Sequence, residues 1–174
     1  MERRGVAGRT IVAITSDHGD YLGDHNLNGK SALPYDGAMR IPLILRGPGI
    51  PQGARSDELV EILDVMPTLL ELVGLPLPKG NQGMSLVPVM RGGKGREVTY
   101  MQGPANRILR TKTAKYAYWL NGDEVLFDLE KDPHELRNIA RDPAAKPLLD
   151  EMRVRILKKA LQAADPLPER VAPY

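Results

Sequence analysis

The 174 residues are enough to bury one hydrophobic core, and a single Phe and a single Trp make that core mostly aliphatic. The 24 Lys and Arg nearly balance 22 Asp and Glu, and the net charge of +2 is spread along the chain, which excludes the basic footprint of a nucleic-acid or acidic-membrane binder. The absence of cysteine excludes a disulfide framework and thiol catalysis, and no segment approaches the roughly 18 consecutive apolar residues of a membrane span.

Residues 1–8 read as a polar lead-in without the apolar run of a secretory signal, which leaves localisation open. Residues 10–15 (TIVAIT) form a short apolar run, the pattern of a strand buried on both faces of a parallel sheet. Ser16, Asp17, His18 and Gly19 then fall just past the strand end, where an open α/β sheet places its ligand crevice. Residues 20–40 are polar and Gly-rich, and residues 41–45 (IPLIL) predict a second buried strand. A loop that long between buried strands is uncommon unless it is functional.

Residues 58–62 predict extended chain, and 64–73 (DVMPTLLELV) a helix packed on the sheet. Asp64 is its expected N-cap, Pro67 lies in the first turn, Leu69, Leu70 and Val73 share a face, and Gly74 stops it. The Pro and Gly of residues 76–95 mark a surface crossing with a short ordered turn at GMSLVPVM. Four half-apolar segments follow, at 97–102, 107–111, 115–120 and 125–129, and predict a small antiparallel sheet of hairpins. Asp132-Pro133-His134-Glu135 carries the N-cap, N1 and N3 signature of a short helix through Asn138. Residues 148–163 predict an amphipathic helix with Leu149, Met152, Ile156, Leu157 and Leu161 on one face, and the Pro-rich residues 165–174 a tail that wraps the surface or is mobile. Two units are therefore expected, residues 1–95 and 96–174. GxGxxG, Walker A, HExxH and GxSxG motifs are absent from the sequence.

Chemistry concentrates in TSDHGDYLGDHNLNGK. Asp17 offers a hard carboxylate oxygen and His18 an imidazole nitrogen, enough for one side of a divalent ion but not for a whole coordination shell. Gly19 permits close backbone approach, and Lys30 supplies a cation for the peripheral oxygens of a sulfate or phosphate group. His25 is either a hydrogen-bond donor to a metal ligand or a leaving-group contact, or an ordinary loop histidine; His134 reads as structural or solvated. The combination fits metal-assisted attack on a tetrahedral anionic ester, and residue pattern alone leaves the function open.

The chain resembles the C-terminal half of the sulfatase family of the alkaline-phosphatase-like superfamily. The resemblance rests on an ordered set of blocks: TSDHGDYLGDHNLNGK, RIPLILRGPG, EILDVMPTLLELVGLPLP with GMSL, and KYAYWL with VLFDLEKDPHELRNIA. It implies an α/β fold, a partial alkaline-phosphatase-like sheet with helices followed by a small antiparallel sheet and a C-terminal helix. It also implies that Asp17 and His18 are metal ligands and that Lys30 contacts the sulfate group; His25, in the GDH of the family's loop, is a catalytic candidate whose two readings the resemblance leaves open. The implied cofactor is a divalent cation, Ca²⁺ first and Mn²⁺ or another transition metal as the alternative, and the implied partner is a sulfate ester.

The departures are equally specific. The family's nucleophile is a formylglycine made from Cys or Ser in a C/S-x-P-x-R motif, with two further Asp ligands nearby. This sequence has no Cys and no Ser followed two positions later by Pro, and Asp17 is its first Asp. The expectation is a truncated or split sulfatase, inactive by itself, that self-associates through open sheet edges. The rival expectations are part of a phosphonate monoester or phosphodiester hydrolase of the same superfamily, and a non-catalytic remnant or interaction domain.

Overall fold

The computed structural model describes residues 1–31 and 33–164; the expected tail at 165–174 lies outside them. Strand β1 (Val12–Thr15) does not enter a parallel pair. It runs antiparallel to β2 (Leu43–Arg46), with Ile14 opposite Ile44, in a two-stranded sheet. Both isoleucines are more than half exposed, so the expected burial on two faces is not achieved within the described residues. The reason is that a two-stranded ribbon buries a face only where another layer lies against it.

The short helix α1 (Asp36–Met39) closes the long loop between these strands. Helix α2 (Val65–Leu72) forms where predicted and ends at Gly74, whose φ of +71° suits glycine. Asp64 occupies its N-cap position as expected, but the side chain caps no amide of α2. A 3-10 turn (Ile62–Asp64) precedes the helix, Glu61 caps that turn, and the Asp64 carboxylate turns inward to accept the Glu61 and Met84 amides at 2.8 Å each. Arg96 closes the cluster, its Nε 3.0 Å from Asp64 and 3.3 Å from Glu61, while Glu61 also accepts the Tyr100 amide at 2.7 Å. The buried side of α2 is Pro67 and Thr68, packed toward α3 (Val87–Met90), and Val73 is exposed.

The second sheet forms as predicted, an antiparallel meander of β3 (Thr99–Gln102), β4 (Asn106–Arg110), β5 (Ala114–Trp119) and β6 (Glu124–Asp128). Helix α4 (Lys146–Ala163) packs against it. Val98, Leu109, Ala114, Tyr116 and Leu126 meet Leu149, Met152 and Ile156 in one core cluster, each full-sized aliphatic side chain contributing about 1.5–3 kcal/mol by burial. Only those three of the five predicted face residues turn inward; Leu157 and Leu161 are exposed. Asp132 to Asn138 makes a turn rather than a helix: the Asp132 carboxylate accepts the Leu136 and Arg137 amides, while Glu135, at φ +58°, is buried. An α-helix cannot continue through that left-handed residue.

Removing the Asp64 carboxylate leaves a guanidinium and two amides without their partner. Asp64→Ala should destabilise the chain by about 3–5 kcal/mol, measured by urea denaturation, and Asp64→Asn by less.

A second expectation concerns pH. Hydrogen bonds from Arg153, aided by Tyr116 and opposed by burial, hold the Glu124 carboxyl below its ordinary value. A folded-state value below the unfolded one adds stability above the ordinary Glu range and loses it as pH falls through the depressed value. Acid titration should show this loss in the wild type and flatten in Arg153→Met, by under about 1 kcal/mol because the guanidinium is partly exposed.

Candidate active site

The turn after β1 is built from its own side chains. Ser16 Oγ donates to the His18 carbonyl at 2.7 Å, and the His18 amide donates to Asp17 Oδ1 at 3.0 Å. The chain then passes directly against α1. The Gly19 amide donates to the Ala38 carbonyl at 2.9 Å, and a Cβ at Gly19 would lie 2.1 Å from the Gly37 carbonyl oxygen. Glycine at 19 is therefore required by packing.

The loop that carries Lys30 is folded around Tyr21. Its buried ring donates through the hydroxyl to the Leu33 carbonyl at 2.9 Å and the Ser31 carbonyl at 3.3 Å. This hold on the segment after Lys30 brings its Nζ to 2.7 Å from His18 Nε2, and His18 Nε2 lies 3.6 Å from Asp17 Oδ2. Asp17, His18 and Lys30 line one cleft of about 390 Å³ with Ser31, Ala38, Met39 and Met101.

The hydrogen bonds define the imidazole. The Gly19 carbonyl, 2.7 Å from His18 Nδ1, can only accept, and an ammonium can only donate. The proton is thus assigned to Nδ1, and the Nε2 lone pair faces the cleft, the orientation in which a ring held by a backbone carbonyl ligates metal. A hydrogen bond from its own backbone holds the Asp17 carboxyl below its ordinary value. Two donors remain short of a complete coordination shell, and among the described residues no group of three His, Cys, Asp or Glu could hold a metal ion.

Three of the four residues singled out in the sequence come together here, and His25 does not join them. Its ring stacks on Tyr35 with centroids 3.7 Å apart at 15°, and Tyr35 in turn lies 5.9 Å from Phe127 of β6. His134 is exposed, as its solvated reading expected. Sequence reasoning missed Met101, which reaches the cleft from β3, and Met39 on α1. It also missed the groups behind the cleft: Asp36 at the start of α1 pairs with Arg110 and with buried Lys115. Burial would raise the Asp36 carboxyl, but these two cations outweigh it and hold it below its ordinary value. Only the polar residue amid the apolar pattern of β5 hinted at Lys115.

The family model for N-sulphoglucosamine sulphohydrolase, C-terminal, matches residues 23–162. The Delta 4,5-hexuronate-2-O-sulfatase of Bacteroides thetaiotaomicron is 38% identical over 164 residues, covering 84% of this chain and 34% of that protein. The solved structure of BT4656 in complex with its substrate D-glucosamine-2-N,6-O-disulfate superposes with a TM-score of 0.84 at 28% identity, over 98% of this chain and 38% of that one. A phosphonate monoester hydrolase from Silicibacter pomeroyi gives a TM-score of 0.84 at 28% identity over 94% and 37%. The chain spans about a third of the length of the curated relatives it matches.

The contact between Gly19 and α1 is testable. Gly19→Ala should push α1 off the turn and destabilise the chain by about 1–3 kcal/mol, read by urea denaturation, with faster proteolysis of residues 20–40.

Proposed function

This chain belongs to the sulfatase family, in its C-terminal part, and from that premise we propose that its cleft is one wall of a sulfate-ester hydrolase site. Asp17 and His18 would hold one side of a divalent cation, and Lys30 would contact the sulfate oxygens. The observation that carries this reading is the cleft itself, where the Nε2 lone pair of His18, the Asp17 carboxylate and the Lys30 ammonium converge.

The residues fit the cation by chemistry. A hard carboxylate oxygen with an imidazole nitrogen suits Ca²⁺ or, because of the nitrogen, Mn²⁺ or another transition metal. The remaining donors and the formylglycine nucleophile of the family have no counterpart in this sequence. When bound, a divalent cation polarises sulfuryl oxygens and orients the attacking group. This chain's own part is to present the Nε2 lone pair, which Lys30 must vacate, keep Asp17 ionised and place the released Lys30 charge beside the ester oxygens, where it offsets negative charge developing in the transition state. His25 acts through the loop, by its stack on Tyr35.

A sulfated sugar is the substrate class that the relatives' names support, since one is a hexuronate-2-O-sulfatase and another is complexed with a glucosamine disulfate. The likeness to a phosphonate monoester hydrolase keeps a phosphoryl ester as the second reading. The exposed Ile14 and Ile44 and the open edges of their ribbon favour self-association of the isolated chain.

Calorimetric titration with Ca²⁺ and Mn²⁺ should give binding to the wild type that weakens by at least about tenfold, or 1.4 kcal/mol, in Asp17→Ala. Inorganic sulfate should bind more weakly to Lys30→Ala in the same way, and tighter binding of phosphate than of sulfate would favour the second reading. Equal heats from wild type and Asp17→Ala would sink the metal assignment. p-Nitrophenyl sulfate should not be turned over by this chain alone.

A further inference from the structure

We propose that Lys115 and Glu135, far from the cleft in sequence, are positioning residues that fix the His18 imidazole through α1. The proposal rests on the functional reading only for why that ring matters; the contacts stand without it. Lys115 on β5 and Glu135 in the turn after β6 are each only 2% exposed. The Lys115 ammonium donates to the Pro34 carbonyl at 2.8 Å and to the Asp36 carboxylate, and it is ion-paired with Glu135. The other oxygen of Glu135 accepts the Asp36 backbone amide at 2.8 Å. The ammonium hydrogen-bonds two of these oxygens, and Glu135 Oε1 faces it as a charge partner without a hydrogen bond.

Burying two opposite charges costs several kcal/mol per ion before their attraction repays it, and apolar packing would join two layers at least as well. What this cluster adds is direction. Glu135 takes φ +58° to aim its carboxylate inward, a conformation that disfavours any non-glycine residue by about 1–2 kcal/mol. The Glu135 carboxylate and the two ammonium hydrogen bonds then define where α1 begins. Arg110 holds the Asp36 side chain from the neighbouring strand β4.

From α1 the path to the cleft consists of contacts too close to slip. Gly37 and Ala38 lie against Gly19, which has no room for a Cβ and donates its amide to the Ala38 carbonyl. The Gly19 carbonyl accepts the hydrogen bond from His18 Nδ1–H, and that bond leaves Nε2 as the acceptor facing Lys30. Pro34 extends the same hold toward Lys30, because Tyr21 binds the carbonyls of Ser31 and Leu33. A displaced α1 would therefore release the ring from its single tautomer while leaving the β3–β6 sheet and α4 packed by their own core.

The experiment uses the whole chain, ¹⁵N-labelled at histidine, in two variants. Glu135→Gln keeps an oxygen for the Asp36 amide and removes the charge facing Lys115; Lys115→Met removes all three contacts. Amide hydrogen exchange in β4 to β6 reports the fold, and the ring ¹⁵N shifts of His18 in metal-free buffer report the tautomer. Wild type should show one tautomer with the proton on Nδ1. Glu135→Gln should keep the sheet protected and populate both tautomers, with Mn²⁺ affinity falling several-fold. A Glu135→Gln ring still locked as in wild type would overturn the proposal. So would loss of sheet protection together with the tautomer, which assigns the pair to stability alone, and so would a wild-type ring with no preferred tautomer. Should Lys115→Met unfold, Glu135→Gln decides. Absence of Mn²⁺ binding by wild type would count against the metal reading and leave the tautomer comparison standing.

Discussion

The buried ammonium of Lys115 is the constraint on which the arrangement of this chain depends. It reaches from the antiparallel sheet across 81 positions to Pro34 and meets Asp36 and Glu135 in the same place. Buried charges tolerate little misplacement, because each unmatched ion leaves an uncompensated desolvation penalty. The cluster therefore fixes the position of α1 more narrowly than an apolar contact would. The cleft loop meets α1 through the hydrogen bond from the Gly19 amide to the Ala38 carbonyl.

A second cluster repeats the logic near α2. Asp64, Glu61 and Arg96 join the 3-10 turn before α2, the segment before α3 and the start of β3, and each carboxylate also accepts backbone amides. Apolar packing supplements these ties, with Tyr35 lying against buried Phe127. The core cluster belongs to the β3–β6 sheet and α4, whereas the β1–β2 ribbon leaves Ile14 and Ile44 outward. That contrast agrees with a chain that spans about a third of its curated relatives' length.

Within the cleft, geometry converts ordinary residue types into a specific arrangement. A histidine after a strand has two usable nitrogens, and the Gly19 carbonyl selects between them. The close passage of Gly19 against Gly37 makes that selection depend on the backbone of α1, so the site and the fold are one structure at this point. His25 shows the opposite outcome. It is close to Lys30 in sequence and is drawn away by its stack on Tyr35.

The sequence alone determined the element types where local signals suffice: the four hairpin strands, the helix ending at Gly74, the terminal helix and the loop after residue 15 that carries Asp17, His18 and Lys30. Periodicity, turn chemistry and the ordered motif blocks are local properties, and they were legible for that reason. Tertiary structure decided the direction of the β1–β2 pairing, the inward turn of Asp64, the absence of a helix at Glu135 and the outward face of Leu157 and Leu161. It also decided that Lys115 is buried and which nitrogen of His18 faces the cleft. Those outcomes follow from partners up to 99 positions apart. A carboxylate caps a helix or turns into the interior according to whether a distant cation or amide awaits it, and no local pattern records that.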